Sequence, residues 1–125
     1  MNSLYATTKQ GTIGELIVQL RLLEHDVQAA PPLKDSGNDL IAVYKDQFRA
    51  IQVRTTTVGK IDKPSSEIAY HVLAIVELAR INGRLSTQTA KIYLFTADEA
   101  PFLSSSLTKY QNRLFSAELV AHLFH

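Results

Sequence analysis

Two apolar runs, "DLIAVY" at 39–44 and "FRAIQVRTTT" at 48–57, are separated only by Lys45-Asp46-Gln47, and nothing else in the chain narrows the fold as much. Their content of Val, Ile, Tyr and Thr and the short polar link predict two strands joined as a hairpin. Inside the second run, Gln52 and Arg54 interrupt the apolar sequence two positions apart. On a strand they share one face, while Ile51 and Val53 take the other. An amide beside a guanidinium on an otherwise apolar strand is the pattern to be explained.

The flanking segments supply the remaining elements. "GTIGELIVQLRLLEH" at 11–25 predicts the first helix, with Ile13, Leu16, Ile17, Leu20 and Leu23 forming its buried stripe. Thr12 followed by Glu15 fits a capping box. "DVQAA" at 26–30 reads as a short strand ended by Pro31-Pro32, and "LKDSGND" at 33–39 as a polar loop. The segment 68–81 is compatible with helix or strand; Val72, Ile75 and Val76 and the turn pair Asn82-Gly83 favour a strand paired with "KIYLFT" at 91–96. A short helix is expected in 97–107. A final helix is expected over 108–125, with Leu114, Ala117, Leu119, Val120 and Leu123 available for burial. The order of elements implies one α/β domain over residues 1–125.

Composition excludes several classes. With no cysteine there is neither a disulfide framework nor a thiolate metal site, and a cytoplasmic protein is expected. No apolar run approaches the roughly 18 residues of a membrane span, and the N-terminus lacks a signal-peptide layout. Net charge is only +1, but the segment from Lys45 to Lys63 holds five basic residues (Lys45, Arg49, Arg54, Lys60, Lys63) against Asp46 and Asp62. Any anion-binding surface should therefore lie near the middle of the chain, with Lys9, Arg49, Lys60 and Lys63 as the candidate contacts for an anionic partner, although charge alone favours a solvated loop with some lysines. His25, His71, His122 and His125 have no metal-ligand spacing, and Ser104-Ser105-Ser106 lacks the glycine setting of a nucleophilic serine.

Three pieces taken together carry a family likeness: Gly14-Glu15 in the first helix, Gly37-Asn38-Asp39-Leu40-Ile41-Ala42 opening a strand, and Ile51-Gln52-Val53-Arg54 in its partner. The arrangement resembles the PD-(D/E)XK nuclease superfamily, including the small Holliday-junction resolvases. It lies nearer the group I intron homing-endonuclease branch, where a Gln can replace the second acidic residue. The resemblance implies a restriction-endonuclease-like fold, a central mixed β-sheet flanked by helices. It also implies DNA as partner and Mg²⁺ or Mn²⁺ as cofactor. Asp39 would be the principal metal ligand, Gln52 would offer a carbonyl oxygen, and Glu15 a second carboxylate. Arg54 stands where the family has its catalytic Lys.

That last position departs from the family pattern. Arginine stays protonated, so it binds phosphate but cannot act as a base. With Gln52 also uncharged, metal affinity and cleavage should fall further than DNA binding, and an inactive binding or structural relative is the alternative. Each residue also has a structural explanation. Glu15 suits a helix start, Asp39 could cap the turn after Gly37, with Asp35 as its rival, and Gln52 and Arg54 could face solvent on an edge strand. The face bearing Gln52 and Arg54 is expected to meet the first helix, where the guanidinium would need Asp39 or Glu15 as partner. A domain this small acting on both strands of a duplex would be a homodimer or larger assembly.

Overall fold

The computed structural model describes residues 3–33, 37 and 39–125, the first five of these as backbone only. The chain runs α1 (Ser3–Leu23), β1 (Gln28–Ala30), β2 (Leu40–Tyr44), β3 (Gln47–Thr56), β4 (Val72–Ile81), β5 (Arg84–Thr96) and α2 (Ala117–Phe124), with 3-10 turns at Ala100–Phe102 and Leu107–Arg113. The five strands form one mixed sheet in sequence order. β1, β2 and β3 pair antiparallel, β3 and β4 run parallel, and β5 returns antiparallel to β4. This is the expected α/β architecture, a mixed sheet flanked by helices.

The β2–β3 hairpin forms as expected, but its turn is tighter. Tyr44 pairs with Gln47, leaving Lys45 and Asp46 to make the bend, Lys45 with φ of 52°. The doubtful segment 68–81 is a strand from Val72 onward, and its composition now has a cause. Residues Val72 to Val76 are buried on both faces of the sheet, so no polar alternation is possible. On one face Val72, Ala74 and Val76 join Ile51, Val53, Val18, Leu22 and Phe124; on the other, Leu73 and Ile75 pack with Tyr93, Phe95, Leu103 and Leu107.

Three local readings need correction. α1 starts well before residue 11, so Thr12 is not an N-cap; its hydroxyl donates back to the Thr8 carbonyl at 3.0 Å. Its buried face is Gly14, Val18 and Leu22, whereas Leu16, Leu20 and Leu23 are 57, 60 and 59% exposed. The helix is apolar on both sides: of the stripe expected from spacing, Ile13 and Ile17 pack partly against the core, while its three leucines lie on the outer side. The C-terminal segment is not one helix. A 3-10 stretch ends at Arg113, Phe115 N–H donates to Ile92 O, and Ser116 then caps α2 by accepting from Leu119 N–H at 3.1 Å. Val120, Leu123 and Phe124 are its buried residues, and Ala117 is exposed. The helix expected in 97–107 is only the turn Ala100–Phe102.

Candidate functional site

The site begins where β2 begins. Asp39 N–H donates to Ile51 O, and one residue later the β2–β3 pairing is established with Leu40 opposite Ile51. β3 continues past that point, leaving Val53 N–H beyond the reach of β2. Asp39 Oδ2 accepts it at 2.8 Å, so the carboxylate takes the place of a missing strand residue. Asp35 and Asn38 lie outside the described residues.

Gln52 and Arg54 share one face of β3, but not the face that meets α1. Their partners across the parallel ladder are Leu73 and Ile75, which belong to the second core layer, while Ile51 and Val53 face the helix. The segment between β3 and β4 crosses in front of this second face. It is tied down by Ile61 N–H to Ser105 O and Leu107 N–H to Gly59 O, with Lys60 bridged to Ser106. The basic loop is thus an anchored wall.

Gln52 is 1% exposed and both ends of its amide are engaged. Nε2 donates to the Gly37 carbonyl at 2.6 Å, and Oε1 accepts from Arg54 Nη1 at 3.3 Å. The orientation is dictated by chemistry, since a carbonyl only accepts and a guanidinium only donates. Arg54 Nη1 also lies 3.6 Å from Asp39 Oδ2, and its Nε lies 3.7 Å from Asp62 Oδ2. The guanidinium therefore has the expected Asp39 partner and a second one, Asp62, that sequence reasoning had counted only as an offset to the lysines. An acid between two lysines in a strand-to-strand loop was the available signal.

Glu15 approaches from the α1 side. Its carboxyl is raised above the usual 4.5, first by burial and then by the negative charge of Asp39. Tyr70 closes the other flank; burial pushes its hydroxyl up, and the Arg54 charge opposes that shift. Glu15, Asp39, Gln52 and Arg54 thus come together, with Asp62 and Tyr70 beside them. Lys60 and Lys63 are exposed on the same loop as Asp62, with Lys63 Nζ donating to Pro101 O at 3.1 Å. Lys9 and Arg49 are not brought to this group. Lys9 lies on the side of α1 turned away from the sheet, and Arg49 donates to Gln47 Oε1 and Phe48 O beside a separate cleft of about 520 Å³ lined by His71, Asp98 and His122.

The donors suit a hard divalent cation in type: two carboxylates and an amide oxygen. Burial raises Glu15 first and the Asp39 charge adds to it, and a cation would relieve that repulsion. No group of three His, Cys, Asp or Glu side chains is poised for a metal among the described residues, and Arg54 already occupies Asp39 and the Gln52 oxygen. The third oxygen would have to come from Gln52.

No protein-family model matches the chain, and no curated protein matches it. Among solved structures it is similar to the bacterial homing endonuclease I-Ssp6803I, with 16% identity, 79% of this chain and 74% of that chain covered, and a TM-score of 0.49. No helix among the described residues is long and apolar enough to cross a membrane.

Proposed function

We propose that the chain is a DNA-binding, restriction-endonuclease-like domain whose cluster is suited to metal-dependent phosphodiester hydrolysis, held down by Arg54. The observation that carries this reading is the convergence of Asp39, Gln52 and Glu15 beside an anchored basic loop. Asp39 and Glu15, with Gln52 Oε1, would hold Mg²⁺ or Mn²⁺. The ion would stabilise charge on the phosphate and make hydroxide available near neutral pH. Lys60 and Lys63 would position the DNA backbone as point charges, without reading sequence.

One observation favours a second reading, a DNA-binding relative without catalysis: the guanidinium fills the place between Asp39 and Gln52. Plasmid nicking with Mn²⁺ separates the two. Arg54→Lys frees the carboxylate side for a cation, and adding Gln52→Glu supplies a third anionic ligand. The double variant should nick at least about tenfold faster than the parent, a barrier change of about 1.4 kcal/mol. A folded double variant inert on duplex, branched and single-stranded DNA leaves only the binding reading. Absence of salt-dependent DNA binding would remove both. Action on both strands of a duplex would further require two copies of the chain.

A further inference from the structure

α1 has too much apolar surface for a helix with only one buried side. Val18 and Leu22 face the sheet and are fully buried, yet Leu16, Leu20 and Leu23 on the opposite side remain more than half exposed. A helix that is hydrophobic all round is ordinarily covered all round. At 3.6 residues per turn, Lys9 falls on the same outer side as the three leucines, and Glu24 at its edge. Both are exposed. Ile13 and Ile17, which pack partly against the core, border this stripe and line with it a shallow groove that reaches Thr87 of β5.

We infer that this outer face of α1 is a self-association surface, covered by the same helix of a second copy running antiparallel. The charges select that occupant and that direction. A two-fold axis passing between Leu16 and Ile17 sets Ile13 against Leu20 and Lys9 against Glu24 of the second copy, at both ends of the contact. Parallel pairing would instead set Lys9 against Lys9 and Glu24 against Glu24. A two-fold contact is also the commonest closed assembly, because one self-complementary patch suffices. Gln52 and Arg54 lie on the other face of the sheet, so pairing through the outer face of α1 does not cover them.

The inference does not rest on the nuclease reading, and its test contains neither DNA nor metal. Sedimentation of the chain in EDTA, up to about 100 µM, should give twice the 13.9 kDa chain mass. Leu20→Glu should raise the dimer dissociation constant at least about tenfold, as central contacts of an interface do. It should leave the circular dichroism spectrum unchanged, since the side chain is 60% exposed. Lys9→Glu should weaken the dimer, and Lys9→Glu with Glu24→Lys should restore it. A monomeric parent overturns the inference. So does a dimer indifferent to Leu20→Glu, or a charge exchange that fails to restore association.

Discussion

Gly14→Ala should destabilise the protein although alanine is the better helix former. In a helix interior the exchange alone favours folding by about 1 kcal/mol. Here α1 crosses β3 at Gly14, and Gln10 Nε2 bonds the Thr55 carbonyl at 3.0 Å, pinning the crossing. A methyl at residue 14 would fall onto Thr55 Oγ1, with Thr55 Cβ at 3.1 Å and Cγ2 at 3.3 Å. Rotating the Thr55 side chain gives only partial relief: one rotamer puts Cγ2 where Oγ1 stood, and the other puts Hβ there but leaves Cβ at 3.1 Å. Overpacking of this kind costs about 1–3 kcal/mol. With the contact so close, the upper part of that range applies, for a net loss of about 1–2 kcal/mol.

Thr55→Ala removes both Oγ1 and Cγ2, and Oγ1 is a buried hydroxyl with no hydrogen-bond partner among the described residues. In that background the Cβ of residue 55 still lies 3.1 Å from the added methyl, and this tight contact offsets the gain in propensity, so Gly14→Ala should be close to neutral. A double-mutant cycle by urea denaturation should therefore give a coupling of about 1–2 kcal/mol, in the range found for side chains in contact. In thermal unfolding the single Gly14→Ala variant should melt several degrees lower, at roughly 4 °C per kcal/mol for a domain of this size. Equal effects of Gly14→Ala in both backgrounds, or a stabilised single variant, would refute the packing argument. The result bears on the candidate site, since a helix lifted at residue 14 carries Glu15 away from Asp39.

Three further outcomes are expected. Asp39→Ala strands the buried Val53 N–H and should cost about 1–3 kcal/mol, whereas Asp39→Asn keeps an acceptor and should cost less than about 1 kcal/mol in chemical denaturation. Glu15→Gln should stabilise the protein at neutral pH, by under about 1 kcal/mol after solvent screening. Because the folded pKa of Glu15 lies above the unfolded value, the folded chain takes the proton first. Parent stability from this group therefore rises as pH falls from neutrality towards 4.5, and the variant should lose that slope. Lys60→Gln with Lys63→Gln should weaken DNA binding uniformly across sequences and lower the salt slope by roughly one for each phosphate no longer neutralised; unchanged affinity would make the loop a structural wall only.

The β2–β3 hairpin and the Asp39–Gln52–Arg54 grouping were legible because strand period and loop length are local properties. The stripe on α1 was not, because Ile13, Leu16, Ile17, Leu20 and Leu23 and the set Gly14, Val18 and Leu22 are both helical in spacing. Only the sheet decides between them, and the decisive residue is a glycine that no hydrophobic count would weigh. The side of β3 carrying Gln52 and Arg54 was misjudged for a related reason. Ile51 and Val53 were correctly read as buried, but the second face is buried too, under loop and 3-10 segments whose contacts are non-local. Asp62 was missed because its partner is eight positions away in sequence and on a different element.

The charges around Arg54 set a further condition on function. Glu15, Asp39 and Asp62 supply three carboxylates; Arg54 pairs with Asp39 and Asp62, while Glu15 feels the charge of Asp39. Without added cations such a cluster repels a phosphodiester, and the Arg54 charge is spent on its own carboxylates. Lys60 and Lys63 are exposed on the loop that carries Asp62, with Lys63 turned to Pro101 O, and among the described residues neither pairs with these carboxylates. If the proposed function holds, DNA should bind through the lysines in EDTA and more tightly with Mn²⁺, the gain depending on Asp39 and disappearing in Asp39→Asn. The opposite order, tighter binding in EDTA, would mean that the guanidinium alone serves the phosphate and that a metal competes with it. Arg54→Lys distinguishes the origin of any gain. A more compact ammonium leaves more of Asp39 exposed, so the Mn²⁺ dependence of binding should grow in that variant even where no strand is cut.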